Sequence, residues 1–222
     1  MTSDGRGRSH GRERPGTGAV VRRLGLVALL VLIDLWSKAR VFAWLDHPAT
    51  VLLRSCPHRH GRLHVLGDDV GWFTFMLSEN SGAATGLLSG HPGVLVVGRV
   101  LAASFLVWLI LRTPVARRWF SLALVLVLAG ALGNLYDNLA RASWGHSGAE
   151  GFRWGMVRDF IDVYFAGWKW HFPTFNVADS CITVGAVLLL LSGLGREEEG
   201  TGAETGTGTG AGAALPPGGQ SM

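Results

Sequence analysis

The chain has 222 residues, of which 48% are hydrophobic and only 16% charged, with a formal net charge of +4. That charged fraction is well below the roughly 25% of soluble domains, and the apolar residues gather in blocks long enough to cross a bilayer, which argues against a soluble nucleic-acid binder. Two cysteines exclude a disulfide-dense secreted scaffold, and the length allows one domain or at most two, so the composition points to a small polytopic membrane protein.

Residues 1–22 are rich in Gly, Ser, Thr and Arg and read as a disordered basic arm. Arg6, Arg8, Arg12, Arg14, Arg22 and Arg23 stand there or at its edge against only Asp4 and Glu13, without the aromatic interleaving of a nucleic-acid binder. The first apolar span, about 24–45, runs on through Asp34, Lys38 and Arg40 with no small-x-small cleavage site, so it is expected to be a retained helix rather than a signal peptide. Asp34 and Lys38 are four apart and share a helix face, which suits a structural ion pair before direct chemistry.

In the connector 46–92, Cys56, His58, His60 and His64 have irregular spacing around Pro57 and no HExxH helix, so they are read as surface groups and not as a metal site. Residues 63–77 alternate loosely and are broken by Gly67-Asp68-Asp69 and Gly71, which predicts short strands joined by a turn within about 60–85. The second span covers 93–111, with Arg99 near its outer end expected to snorkel. Arg112, Arg117 and Arg118 follow, and the third span covers 119–139. Asn134 and Asp137, three apart, share a face near its end.

The connector 140–176 carries Trp144, Trp154, Trp168 and Trp170 together with Phe152, Phe160, Phe165 and Phe172, a density that fits the headgroup belt and suggests a short interfacial helix or loop. The fourth span covers 177–194, with Cys181 a small packing residue not paired with Cys56. From 196 to 222 the chain is a Glu-, Gly- and Thr-rich tail expected to be disordered. The two arginine clusters, read by the positive-inside rule, put both termini in the cytoplasm and both long connectors outside.

Asp159 and Asp179 come from separate segments and fall at one membrane depth. Two carboxylates sharing a site split their protonation, so that one can take a proton from water while the other donates to a carbonyl oxygen. Hydrolysis of a peptide bond would follow without metal or covalent intermediate. From spacing alone, separate structural caps and a proton path remain open beside this dyad.

The motifs, taken in order, resemble the lipoprotein signal peptidase family (bacterial signal peptidase II) over roughly residues 28–191. Asp34 and Lys38 match the first-helix pair, Asn80-Ser81-Gly82-Ala83-Ala84 an Asn-x-Gly-x-Ala motif, and Gly133-Asn134-Leu135-Tyr136-Asp137 a Gly-Asn-x-x-Asp block. Val157 to Asp162 and Phe175 to Ser180 match the two catalytic blocks. The resemblance implies an all-α polytopic membrane protein with four transmembrane helices, a small extracytoplasmic β-cradle and an interfacial helix or loop. It implies an aspartic endopeptidase of the bacterial inner membrane, acting near the extracytoplasmic face on diacylglyceryl-modified prolipoproteins and cutting before the lipidated cysteine.

By position, Asp159 and Asp179 inherit the catalytic role. Asn80, Gly82, Asn134 and Asn176 inherit supporting roles, and Asp34, Lys38 and Asp137 structural or substrate-orienting ones. Partners implied are prolipoproteins, membrane lipids and the peptide antibiotic globomycin, with no cofactor, metal or nucleic acid. Three departures stand out: Asn138 where the family has Arg, with Arg141 one turn later as a substitute; Thr85 where it has an aromatic; and a long segment between Asn138 and Gly155. The competing readings are a small proton-coupled transporter relaying through Asp34, Asp137 and Asp179, and a non-catalytic membrane scaffold.

Overall fold

Four long helices carry the apolar blocks. The computed structural model describes residues 14–54, 62–66, 72–80, 92–144 and 152–194. Helix α1 (Thr17–Leu45) is followed by a short α2 (Pro48–Arg54), strands β1 (Leu63–Leu66) and β2 (Phe73–Asn80), and helices α3 (Pro92–Arg112) and α4 (Arg118–Ala140). Strands β3 (Ser143–Trp144), β4 (Phe152–Arg153), β5 (Val157–Phe165) and β6 (Trp170–His171) precede α5 (Val177–Leu194). Proline marks several boundaries: Pro48 and Pro92 open helices, where the missing N–H costs nothing, and Pro114 stands in the break between α3 and α4.

Among the described residues, Gly93–Arg112 and Arg118–Ala140 are long and apolar enough to cross a bilayer, and the apolar stretch of α5, Val177–Ser192, is shorter. Helix α4 is the centre of the bundle, packed against α1, α3 and α5. Val27, Ala103, Ile110, Leu124 and Leu128 form the apolar core. The remaining faces stay apolar and exposed: Leu32 and Trp36 on α1, Leu101 and Phe105 on α3, and Leu190 and Leu191 on α5. An apolar surface of that extent suits hydrocarbon rather than water.

Close helix crossing depends on two glycines of α4. A Cβ at Gly130 would run into the backbone carbonyl of Ala178, and one at Gly133 into the Asp34 carboxylate. Small residues let helix backbones approach in a bilayer, where packing rather than the hydrophobic effect drives association. At the far end of the bundle, Arg23 of α1 donates to the carbonyl oxygens of Ile110, Thr113 and Pro114 at 3.0, 2.7 and 3.2 Å. It thereby satisfies carbonyls that a helix end leaves without partners.

A four-stranded antiparallel sheet, order β1-β2-β5-β6, lies at the other end. Trp44 of α1 meets Phe75 of β2 edge-on at 6.2 Å, and Phe75 meets Phe160 of β5 at 5.7 Å, so aromatic contacts seat the sheet on the first helix. The register places Ser78 opposite Asp159 and Asn80 opposite Val157, with an irregularity between Phe75 and Ser78. Asp162, almost fully buried, accepts from Thr74 Oγ1 at 2.6 Å and Arg62 Nε at 2.9 Å and lies 3.0 Å from His171 Nδ1. That cluster ties three strands together.

Three expectations are corrected. The basic arm was expected to lack structure to residue 22, but α1 begins at Thr17, because Ala19, Val20 and Val21 extend the apolar helix and Arg23 is held by the carbonyls beyond α3. The β-cradle was assigned to 60–85 alone, yet half of its sheet comes from the second connector. Of the interfacial helix or loop expected there, no α-helix is present among the described residues, which form β3, β4, β5, β6 and a single 3-10 turn at Ala166–Trp168. Buried carboxylates on β5 break its apolar alternation, and the aromatic density of the connector concealed a central strand. Cys181 is buried as expected. Cys56, His58, His60, Gly82, Thr85, the loop glycines of 145–151 and the tail beyond 194 lie outside the described residues.

Candidate active site

The strand that replaces the expected helix delivers the first acid. Asp159 of β5 is fully buried; its Oδ1 accepts from Asn176 Nδ2 at 2.6 Å, and its Oδ2 accepts from Asn80 Nδ2 at the end of β2. The second acid comes from the first turn of α5. Asn176 precedes that helix and forms a reciprocal cap with Asp179: Asp179 N donates to Asn176 Oδ1 at 2.9 Å, and Asn176 N donates to Asp179 Oδ2 at 3.2 Å. This is a capping box with Asp in the place usually held by Glu or Gln, and it sets an anionic group at the positive end of the helix.

Asp179 Oδ1 accepts from Asn134 Nδ2 at 2.8 Å. Asn176 therefore touches both acids, and every described hydrogen-bond partner of the two carboxylates is an amide. Such groups orient a carboxylate without neutralising it.

Asp159 and Asp179 line one cavity of about 530 Å³, together with Asn80, Asn134 and the segment Phe172–Phe175. Burial pushes the Asp159 carboxyl up to about 7, and the nearby charge of Asp179 adds to the rise against the opposing hydrogen bond from Asn176. Near neutral pH the Asp159 carboxyl therefore holds a proton readily.

Behind the cavity lies a buried charge network. Lys38 Nζ donates to Asp34 Oδ2 at 2.7 Å and Asn134 Oδ1 at 3.0 Å, and lies 3.3 Å from Asp137 Oδ2. Asp34 Oδ1 accepts from Ala178 N at 2.9 Å, so a carboxylate of α1 caps the first turn of α5. Asp137 receives Arg158 through Nη2 at 2.6 Å, Nε at 3.1 Å and the backbone N at 3.1 Å. Asp34 and Asp137 each face a cation, Lys38 the first and both Lys38 and Arg158 the second. Lys38 fixes Asn134, and Asn134 fixes Asp179.

Two arginines fall differently from expectation. Arg141 does not reach the acids: its guanidinium donates to the Met156 carbonyl at 3.0 Å and to Glu79 at 2.5 Å on the exposed side. Arg99, expected to snorkel, turns inward instead. It lines the cavity, donates to Asn138 Oδ1, and lies within range of the charges of Asp179 and Asp159. Where a family arginine was expected on α4, Asn138 accepts a guanidinium that arrives from α3, and its Nδ2 holds Gly155 O at 2.6 Å. The signal for Arg99 was present in the sequence: a lone cation inside an apolar span, close to the depth of the two acids, favours a polar cavity over a return to the interface.

Comparison with known proteins agrees with this arrangement. The family model described as signal peptidase (SPase) II matches residues 26–194. A lipoprotein signal peptidase of Burkholderia ambifaria (strain MC40-6) is 36% identical over 190 residues, which span 82% of this chain and 93% of the relative. That of Burkholderia multivorans is 35% identical over the same shares. Two structures of bacterial membrane enzymes solved by the in meso method share the fold. One has a TM-score of 0.57 at 20% identity, covering 90% of this chain and 100% of its own, and the other a TM-score of 0.55 at 23%, covering 82% and 97%. The chain belongs to the signal peptidase II family, membrane aspartic peptidases that remove signal peptides from diacylglyceryl-modified prolipoproteins.

Proposed function

We propose that Asp159 and Asp179 together hydrolyse the peptide bond that precedes the diacylglyceryl-modified cysteine of a prolipoprotein. The observation that carries this reading is the convergence of the two carboxylates, one from β5 and one from the first turn of α5, on a single cavity through the shared side chain of Asn176. In this mechanism Asp159 enters with its proton, and Asp179 takes a proton from the attacking water. The hydroxide so formed adds to the carbonyl carbon, and Asp159 gives its proton to the carbonyl oxygen. Collapse of the tetrahedral diol breaks the C–N bond as Asp179 passes its proton to the departing amine and a diol hydroxyl returns a proton to Asp159, so the pair is again singly protonated.

Asn80, Asn134 and Asn176 hold the acids in register. Arg99 supplies positive potential to a cavity that carries at least one negative charge. Gly82 of the Asn80 motif keeps the supporting role that the motif implies, and Arg141 has a role in holding the β4–β5 segment rather than in chemistry.

In the same reading α1, α3, α4 and α5 all cross the bacterial inner membrane, with both termini cytoplasmic and the sheet outside. The exposed apolar faces of α1 and α5 support two crossings beyond those of α3 and α4, and the arginines at 22–23 and 112–118 support the orientation. The substrate's acyl chains then lie in the bilayer beside the bundle while the peptide enters the cavity, and a cyclic peptide of the globomycin type would compete for the same cleft. The test is cleavage of a diacylglyceryl-modified prolipoprotein peptide by the purified chain in proteoliposomes, beside its unlipidated twin. Cleavage before the lipidated cysteine, at least about 100-fold faster than for the twin, is expected if remote binding energy is used in the transition state. Equal cleavage of both peptides would contradict the assignment of the lipid as a recognition element.

A further inference from the structure

At the end of the bundle opposite the two acids, α1 and α4 enclose a second cavity of about 260 Å³. Arg22, Arg23, Arg118 and Ser121 line it together with apolar residues that include Leu26 and Val125. Ser121 is only 6% exposed, and its hydroxyl is the one buried side-chain oxygen or nitrogen without a hydrogen-bond partner among the described residues. Leaving a buried hydroxyl unsatisfied is costly, so such a group calls for an explanation.

The first turn of α4 begins here, and its N-cap residue Arg117 makes no capping hydrogen bond, which leaves the positive end of a 23-residue helix facing the same region. None of the ion pairs among the described residues involves Arg22, Arg23 or Arg118. Arg23 is committed to three neutral carbonyls, so its charge stays uncompensated. Three guanidinium groups, an unsatisfied hydroxyl and a helix N-terminus around one small cavity are complementary to a phosphate. Leu26 is itself exposed on the bundle surface, which gives a headgroup seated here an apolar path for its chains.

We propose that this cavity binds the phosphate of an anionic membrane phospholipid, with Arg22 and Arg118 pairing with the phosphate oxygens and the Ser121 hydroxyl donating to one of them. The site is separate from the peptidase cavity and does not depend on cleavage activity. The lipid's acyl chains lie along the exposed Leu26, and the lipid clamps α1 to α4 at the end where the two helices start.

The experiment uses the full chain in phosphatidylcholine nanodiscs, titrated with phosphatidylglycerol and, in a parallel arm, with inorganic phosphate. Lipid retained by the protein is read by native mass spectrometry and the thermal midpoint is recorded. Arg22→Gln and Arg118→Gln change exposed residues and spare Arg23, which holds the end of α3. The wild type is expected to retain phosphatidylglycerol over phosphatidylcholine and to gain thermal midpoint from it, while inorganic phosphate does neither. Each arginine variant should lower that preference about 5-fold, and the pair about 25-fold, the scale of single basic side chains at an anionic surface. Ser121→Ala should weaken retention as well. The proposal is overturned if the wild type shows no preference, if the double variant keeps it, or if Ser121→Ala raises the midpoint in phosphatidylcholine while retention is unchanged, the behaviour of a hydroxyl that is merely buried. A midpoint gain from inorganic phosphate equal to that from phosphatidylglycerol would overturn the lipid as the ligand.

Discussion

Asn176 is the side chain on which the two acids depend together. Its Nδ2 donates to Asp159 and its Oδ1 accepts from Asp179 N, so it acts at once as a helix cap and as a lever on the proton affinity of the buried acid. Asn176→Ser separates the two functions, since serine is also a favoured N-cap but cannot reach Asp159. Without the amide donor the charged form of Asp159 loses stabilisation. The alkaline limb of the kcat/KM profile, expected near pH 7 in the wild type, should then move to higher pH, with a loss of about 10-fold or more in kcat at neutral pH from the looser geometry. A profile that falls in rate but keeps its limb in place would separate Asp159 from that titration.

Asp159 also links stability to pH. The folded chain keeps the proton up to about 7 whereas an unfolded carboxyl releases it near 4, so the folded state binds more protons between these values and stability falls as pH rises through that window. Asp159→Asn removes the buried charge. It is expected to be inactive yet to melt above the wild type at pH 8, with the gap closing at pH 5; thermal unfolding in detergent at the two pH values decides it.

Helix α5 begins where it does because three side chains agree on its first turn: Asn176 caps it, Asp179 returns the cap, and Asp34 of α1 accepts from Ala178 N. Lys38 neutralises Asp34 from below and sits beside Asp137 and Asn134. Lys38→Met would leave the buried Asp34 without a cation and Asp137 with Arg158 alone, a change that costs about 3–5 kcal/mol, and it would loosen Asn134, which holds Asp179. Both the thermal midpoint and kcat should fall. Gly133→Ala would press a methyl group into the Asp34 carboxylate and should cost about 1–3 kcal/mol in the same melt, whereas the stabilisation usual for this change at an exposed helix position would contradict the packing.

These elements were legible to different depths. The helices showed in the apolar blocks; the two acids stood out as carboxylates at one membrane depth, but spacing left caps and a proton path open, and their pairing rested on the family resemblance. The sheet was half visible: β1 and β2 alternate in sequence, but β5 buries Asp159 and Asp162 along with Val157 and Phe160, so no clean period-two pattern survives. Arg99 and Arg141 exchanged places for a related reason. Spacing along one helix can suggest a substitute one turn away, but it cannot show that the neighbouring helix supplies the cation.

Taken together, the fold sets a rigid α4 against three helices, closes one end with Arg23 and the other with a sheet, and leaves the acids where bundle and sheet meet. Under the proposed function that position has a physical reason: a lipid-anchored cysteine cannot leave the interface, so a catalytic pair must be brought to it. The measurement that bears most directly on this account is single-turnover cleavage of the lipidated peptide by wild type, Asp159→Asn and Asp179→Asn, each first verified as folded by its melt. Each substitution is predicted to slow the chemical step by about 10²- to 10⁴-fold, with peptide binding retained, because either removes one half of the proton exchange. If a folded Asp159→Asn or Asp179→Asn cleaves at the wild-type rate, the two acids do not form the catalytic pair.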